Sequence, residues 1–270
     1  MKLQFTNGYR PRFEQISRIL QYLLLQEERK KVPRPEIVAA LGIPDKQIEN
    51  VNSMMTGFGL VLPKVSLLTP LGKMIIQGDP YFEKNETLWI IHYIVSSNPE
   101  WVVWHRIVND IIPTLDHISV DFVSNNYFSD LATQFSERSF TEKLPKEVGA
   151  VLAGYARSEL ARLNIVQEVV KGNFVRGTPI GISELAFLYC LLYFRERFSP
   201  GASAMNVSEI CLAVDSPGRV FNLPEYQVRS ILGELHSSGQ IRMEQFANLD
   251  QVRVPDTITQ ESVLALIYRG

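Results

Sequence analysis

The side chains best suited to chemistry in this sequence are four histidines, His92, His105, His117 and His236, and two cysteines, Cys190 and Cys211. Two histidines four apart on a helix, with a glutamate beside the first, would hold zinc; a serine between glycines on a sharp turn would make a nucleophile. Neither pattern occurs. No histidine has an HExxH context, and there is no GxSxG, no GxGxxG and no glycine-rich phosphate loop ending in GK[ST]. The cysteines lack a CxxC neighbour and lie in apolar helical patterns, so they are expected to be reduced core thiols. That usage fits a reducing, cytoplasmic compartment. A metal-dependent nuclease needs carboxylates and a lysine grouped around its ion, and no such triad stands out. Glu168 and Lys171, three apart across an expected turn, read as a solvated surface pair. The sequence therefore predicts no catalytic residue, no metal, no cofactor and no enzyme.

Cations and amides are better placed. Guanidinium and ammonium groups neutralise phosphates, while amide and hydroxyl side chains read base edges. Basic stretches occur at Arg10 and Arg12, at Arg29-Lys30-Lys31 with Arg34, and at Lys171 with Arg176. Glu27 and Glu28 partly offset the second. Lys46, Gln47, Asn50 and Ser53 fall largely on the polar side of one expected helix, with Arg34 nearby. Tyr226, Gln227 and Arg229 occupy the corresponding places near the C-terminus, and Arg242 and Arg253 follow on expected strands. These ten residues are the candidate DNA contacts. Net charge is −2 and the isoelectric point about 6.1, whereas compact nucleic-acid modules often exceed about 9. Any phosphate-binding surface must therefore be local.

The elements that would carry these residues follow from periodicity. Phe13, Ile16, Ile19, Leu20, Leu23 and Leu24 mark a helix over 13–29, and Pro33 and Pro35 force the next break. A short helix over 36–41 ends at Gly42, and a third over 45–58 has Asp45 as its expected N-cap. Residues 60–68 alternate weakly around Pro63 like a short hairpin. Helices are expected over 86–97, 100–112, 127–138 and 145–163, then a hairpin over 165–176. The last segment repeats the plan: helices over 184–198 and 207–214, the latter capped by Asn206, a turn at 216–218, a helix from Pro224 to Ser237, and strands 241–246 and 251–254 joined across 247–250. Trp89, Tyr93, Trp101 and Trp104 could form a platform for stacked bases, but their helical spacing favours core. The predicted class is mainly α with short β-hairpins: tandem winged-helix-like units at 1–84 and 181–270, joined by a helical middle segment at 85–180 that ends in a hairpin. No apolar run is long enough to span a membrane.

Several short motifs carry a resemblance. They are Arg10-Pro11-Arg12-Phe13, Leu41-Gly42-Ile43, Gly57-Phe58-Gly59-Leu60, Leu68-Thr69-Pro70-Leu71-Gly72, Asp79-Pro80-Tyr81, Thr87 to Tyr93, and Ser216-Pro217-Gly218-Arg219-Val220-Phe221. In order and spacing the chain resembles the domain-of-unknown-function family numbered four thousand and seven. That family has a histidine close before the Arg-Pro-Arg-Phe segment; here Asn7, Gly8 and Tyr9 stand there. The resemblance implies a prokaryotic protein encoded near sulfur-transfer enzymes of DNA phosphorothioation or related anti-phage systems, and it supplies no catalytic residue. The expected function is a non-enzymatic accessory subunit that binds double-stranded DNA alongside proteins of a modification or defence complex. The alternative is a protein–protein scaffold or regulator, because winged helices also dock proteins.

Overall fold

The structure is a computed structural model that describes residues 2–246 and 249–269. The first helix, α1 (Phe13–Leu24), buries Phe13, Ile16, Ile19, Leu20 and Leu23 along one stripe. It is followed by α2 (Arg34–Leu41), which ends as Gly42 turns left-handed at φ 65°, and by α3 (Asp45–Gly57). Asp45 is not the N-cap of α3. Pro44 holds that place, and the Asp45 carboxylate pairs with Arg34 at 2.7 Å instead. The hairpin expected over 60–68 reduces to a single antiparallel bridge between Val61 and Leu68, and α4 (Pro70–Gly78) follows. Thr69 caps α4, accepting from the Gly72 N–H at 2.9 Å while its hydroxyl donates to the Gly59 carbonyl at 2.6 Å. Gly72 sits so close to the Leu60 carbonyl that a Cβ would lie 2.0 Å from its oxygen.

The middle segment begins with α5 (Asn85–Ser96), buried on nearly every side. The helix expected over 100–112 is split into α6 (Val102–Arg106) and a π-helical turn at Ile107–Ile111. No helix spans 127–138. Regular structure falls earlier, in strand β1 (His117–Ser119) and α7 (Val120–Asn126), and then thins to a 3-10 turn at Ser129–Leu131 and a π turn at Ser139–Lys143. Between Asp130 and Arg138 the only apolar side chains are Leu131, Ala132 and Phe135, too few for a core-facing stripe. The helix expected over 145–163 is α8 (Leu144–Arg157), broken at Ser158 and continued as a 3-10 turn. The hairpin is β2 (Val166–Val170) and β3 (Asn173–Arg176), and β1 adds to it in the antiparallel order β1-β3-β2.

In the last segment α9 (Glu184–Phe198) is buried around most of its circumference. Strand β4 (Met205–Asn206), α10 (Val207–Leu212), α11 (Pro217–Val220) and α12 (Glu225–Ser237) follow. Asn206 stands at the cap of α10 but makes no cap bond; its side-chain oxygen accepts from Gln251. The turn expected at 216–218 is the first part of α11. Strands β5 (Arg242–Phe246) and β6 (Leu249–Arg253) pair antiparallel, with β4 on the other edge of β6. The expected turn over 247–250 already has Leu249 and Asp250 in strand, and Ala247 and Asn248 lie outside the described residues. Last comes α13 (Gln260–Arg269), which returns to α4 and α9. Buried apolar side chains from all three segments form one connected cluster. The protein is thus mainly helical with two small antiparallel three-stranded sheets. Among the described residues no helix is long and apolar enough to cross a membrane.

Candidate nucleic-acid interface

The residues before α1 form a strap across the end of α3. Asn7 and Gly8 both take left-handed φ, 54° and 77°, and the turn brings several of the strap's backbone N–H groups onto one anion. The anion is internal. Glu147 of α8 is fully buried and accepts from the N–H groups of Phe5 (2.8 Å), Thr6 (2.6 Å) and Gly8 (3.3 Å). Burial raises its pKa against the lowering effect of those three bonds. The strap is pinned again where the Asn7 amide donates to Asn50 Oδ1 at 2.9 Å.

Strap, α1 and α3 enclose a cavity of about 270 Å³. Arg10, Arg12 and Lys46 stand around it, Gln15, Gln47 and Asn50 present amides, and Val51 and Met54 make an apolar floor beside Tyr9. No carboxylate lines it. Arg10 and Arg12 are exposed and make no ion pair among the described residues.

The ten expected DNA contacts separate into two groups. At the N-terminal group, Arg34 pairs with Asp45 and, at 3.9 Å, with Glu49, which also holds Lys46 at 3.0 Å. Gln47 is exposed and accepts from Gln15 at 3.2 Å; Ser53 is half-buried. Asn50 is not on an open polar face. It is 5% exposed, and its amide nitrogen has no hydrogen-bond partner among the described residues. At the C-terminal group every arginine is matched by an acid. Arg229 bonds Glu225 and Asp250, which raises its own pKa, while the bond from Arg229 lowers that of Asp250. Arg253 and Arg242 share Glu244, at 2.8 and 3.8 Å. Tyr226 is 69% exposed and Gln227 half-buried. The first group lies on α2 (Arg34) and α3, the second on α12 and its sheet; Lys46, Gln47 and Asn50 line one cavity, Tyr226 and Gln227 another, and the other five line neither.

Sequence reasoning named Arg10 and Arg12 as basic but not as site residues. It missed Tyr9, which the strap's path brings to α3, and Gln15, which α1 presents to Gln47. The aromatic group is core: Trp89, Tyr93 and Trp104 are fully buried and Trp101 nearly so. Glu168 does not pair with Lys171; it holds Arg157 and the Gly172 N–H. Both cysteines are free and buried, and burial pushes their thiols up, Cys211 to about 11.

The motifs outside the cavity hold segments together. Arg219 of α11 donates Nε–H to the Asn109 carbonyl (2.8 Å), which the π turn presents. Asp215 just before α11 has a φ of 67° and is held on three sides. Its N–H donates to Asn109 Oδ1 (3.0 Å), its carbonyl accepts from the Tyr93 hydroxyl (2.8 Å), and its carboxylate bonds His105 (2.8 Å). Gly218 allows the approach, since a Cβ there would lie 2.7 Å from the Ile210 carbonyl oxygen. Below this, Trp104 Nε1–H donates to the Tyr155 oxygen (2.7 Å), the Tyr155 hydroxyl donates to His92 Nδ1 (2.6 Å), and His92 Nε2–H donates to the Val220 carbonyl (2.9 Å). A carbonyl only accepts, so the Nε2–H tautomer is fixed. Complete burial lowers the His92 pKa to about 4.

This architecture, a helical body with two small sheets and a basic cavity at one end, can be set beside known proteins. A family model described as "Protein of unknown function (DUF4007)" matches residues 38–268, and the chain belongs to that family. No curated protein matches it. Two solved structures are similar, an SspB crystal structure (TM-score 0.79) and a magnesium ion-bound SspB crystal structure (TM-score 0.78). Each is 14% identical, with 98% of this chain and 87% of the other covered, so the likeness is one of fold. Among the described residues of this chain, no three His, Cys, Asp or Glu side chains are grouped to hold a metal ion.

Proposed function

We propose that the chain is a non-enzymatic, DNA-binding accessory subunit of a prokaryotic DNA-modification or anti-phage defence system, working in the cytoplasm with that system's proteins. In this reading the terminal segments act as winged helices and the N-terminal one makes the DNA contact. One observation carries it: Arg10 and Arg12, which make no ion pair among the described residues, line a cavity with amide edges and no lining carboxylate, beside Lys46, which Glu49 holds at 3.0 Å. Cations fixed in that way meet phosphate, and amides beside them meet bases. Membership of the family supports the modification setting, through the gene neighbourhood that the resemblance implies.

The C-terminal unit reads differently. Its arginines are already neutralised by Asp250, Glu225 and Glu244, while Leu212, Val214 and Tyr226 are exposed beside them. That combination suits a protein partner better than phosphate.

The test is binding to a fluorescent duplex over a series of salt concentrations. Counterion release gives a slope of log K on log salt of about −0.9 per neutralised phosphate, so the two unpaired arginines predict about −2. Arg10→Glu and Arg12→Glu abolish binding and Arg229→Glu leaves it intact. Absence of binding at low salt, or binding indifferent to both N-terminal substitutions, overturns the proposal.

A further inference from the structure

We infer that the cavity between the strap and α3 takes a single nucleotide whose base is unpaired; this rests on the nucleic-acid reading above and narrows it. Asn50 is the reason. It is one turn beyond Gln47 on the same face of α3, yet the strap covers it to 5% exposure. A base held in an intact groove cannot reach it. A base that leaves its stack can, because the Asn50 amide lines the cavity with an unpartnered nitrogen.

The lining matches such a ligand part by part. Asn50 and Gln47 amides meet the hydrogen-bonding edge, as paired donors and acceptors do for bases. Val51 and Met54 meet one face of the ring, and the Tyr9 ring, more than half exposed, is free to stack. Arg10, Arg12 and Lys46 stand at the mouth for the phosphate. The cavity volume, about 270 Å³, lies near the lower bound of about 300 Å³ for small-molecule sites.

Two sources share this chemistry, a nucleotide extruded from a strand and a free mononucleotide, and the test separates them. The full chain is titrated with a perfect duplex, with the same duplex carrying one bulged adenine, and with dAMP. Stacking on one aromatic ring predicts about tenfold tighter binding of the bulged duplex. Tyr9→Ala, and Gln47→Trp, which fills the cavity from an exposed position, each bring bulged-duplex affinity down to that of the perfect duplex for the same variant; circular dichroism checks the fold. Equal affinity for bulged and perfect duplex overturns the inference and leaves duplex binding standing. Binding of dAMP, lost in Gln47→Trp, with no binding to either duplex keeps the nucleotide site and overturns DNA as its source. No binding of any probe overturns both.

Discussion

His92→Gln tests the buried hydrogen-bond chain. Glutamine can accept from the Tyr155 hydroxyl and donate to the Val220 carbonyl, but it does not titrate. In the folded protein His92 has a pKa of about 4, and in the unfolded chain about 6.5. Between those values the unfolded state binds one proton more, so stability falls as pH falls. The contribution is fully present above about pH 6.5 and is lost towards pH 4. Linkage with these two values gives a loss of about 2 kcal/mol from pH 7 to pH 5, and about 3 kcal/mol by pH 4. Glu147 acts with the opposite sign, its pKa being raised by burial, but it is common to both proteins and cancels in their difference. Urea unfolding at pH 7, 6 and 5 is the assay. At pH 7 the variant is expected to be the less stable by about 1 kcal/mol, for an imperfectly replaced pair of hydrogen bonds; by pH 5 it is expected to match or exceed the parent. Parallel stability curves would show that the imidazole titrates alike in both states and would refute the argument.

Three further expectations follow from packing. Gly72→Ala places a Cβ against the Leu60 carbonyl, at 2.0 Å from its oxygen, and should destabilise by about 3 kcal/mol or more, read as a fall in the denaturation midpoint. Arg219→Ala removes the bonds to the Asn109 carbonyl and Asp110 and should cost about 1.5–3 kcal/mol; hydrogen exchange at 107–111 should rise, and unchanged protection there would count against the docking role. Glu147→Ala leaves three strap N–H groups without their acceptor. Limited trypsin digestion should then cut after Arg12, which unlike Arg10 is not followed by proline, several times faster than in the parent.

The elements set by local periodicity were legible: α5, α9 and α12 lie within a residue of their expected spans, and α1 starts where expected but ends at Leu24, five residues short of its expected end at 29. What escaped was set at long range. β1 is three residues long and exists only because β3 offers it an edge. The split of 100–112 reflects the π turn that meets Arg219, over a hundred residues later. The site was partly legible. Lys46, Gln47 and Asn50 do share a cavity, but the burial of Asn50 depends on a strap anchored by Glu147, 142 residues from Phe5. No local pattern marks a lone glutamate in an apolar helix as such an anchor. Two of the motifs that carry the family resemblance, Thr69 to Gly72 and Ser216 to Phe221, prove to be close-approach and docking elements.

The return of α13 to the first segment has a consequence for biosynthesis. Lys84 Nζ donates to the Ile267 carbonyl, Tyr268 bonds Thr87, and Gly78 faces the Tyr268 ring with no room for a Cβ. One flank of α4 is therefore covered by residues made 183 positions later than Lys84. At about 5–20 residues per second, that flank waits roughly ten to forty seconds for its cover. Throughout that interval Met74 and Gly78, which meet Arg269 and Tyr268 in the finished fold, face solvent or a chaperone, so the yield of this protein should respond to elongation rate more than its equilibrium stability would suggest.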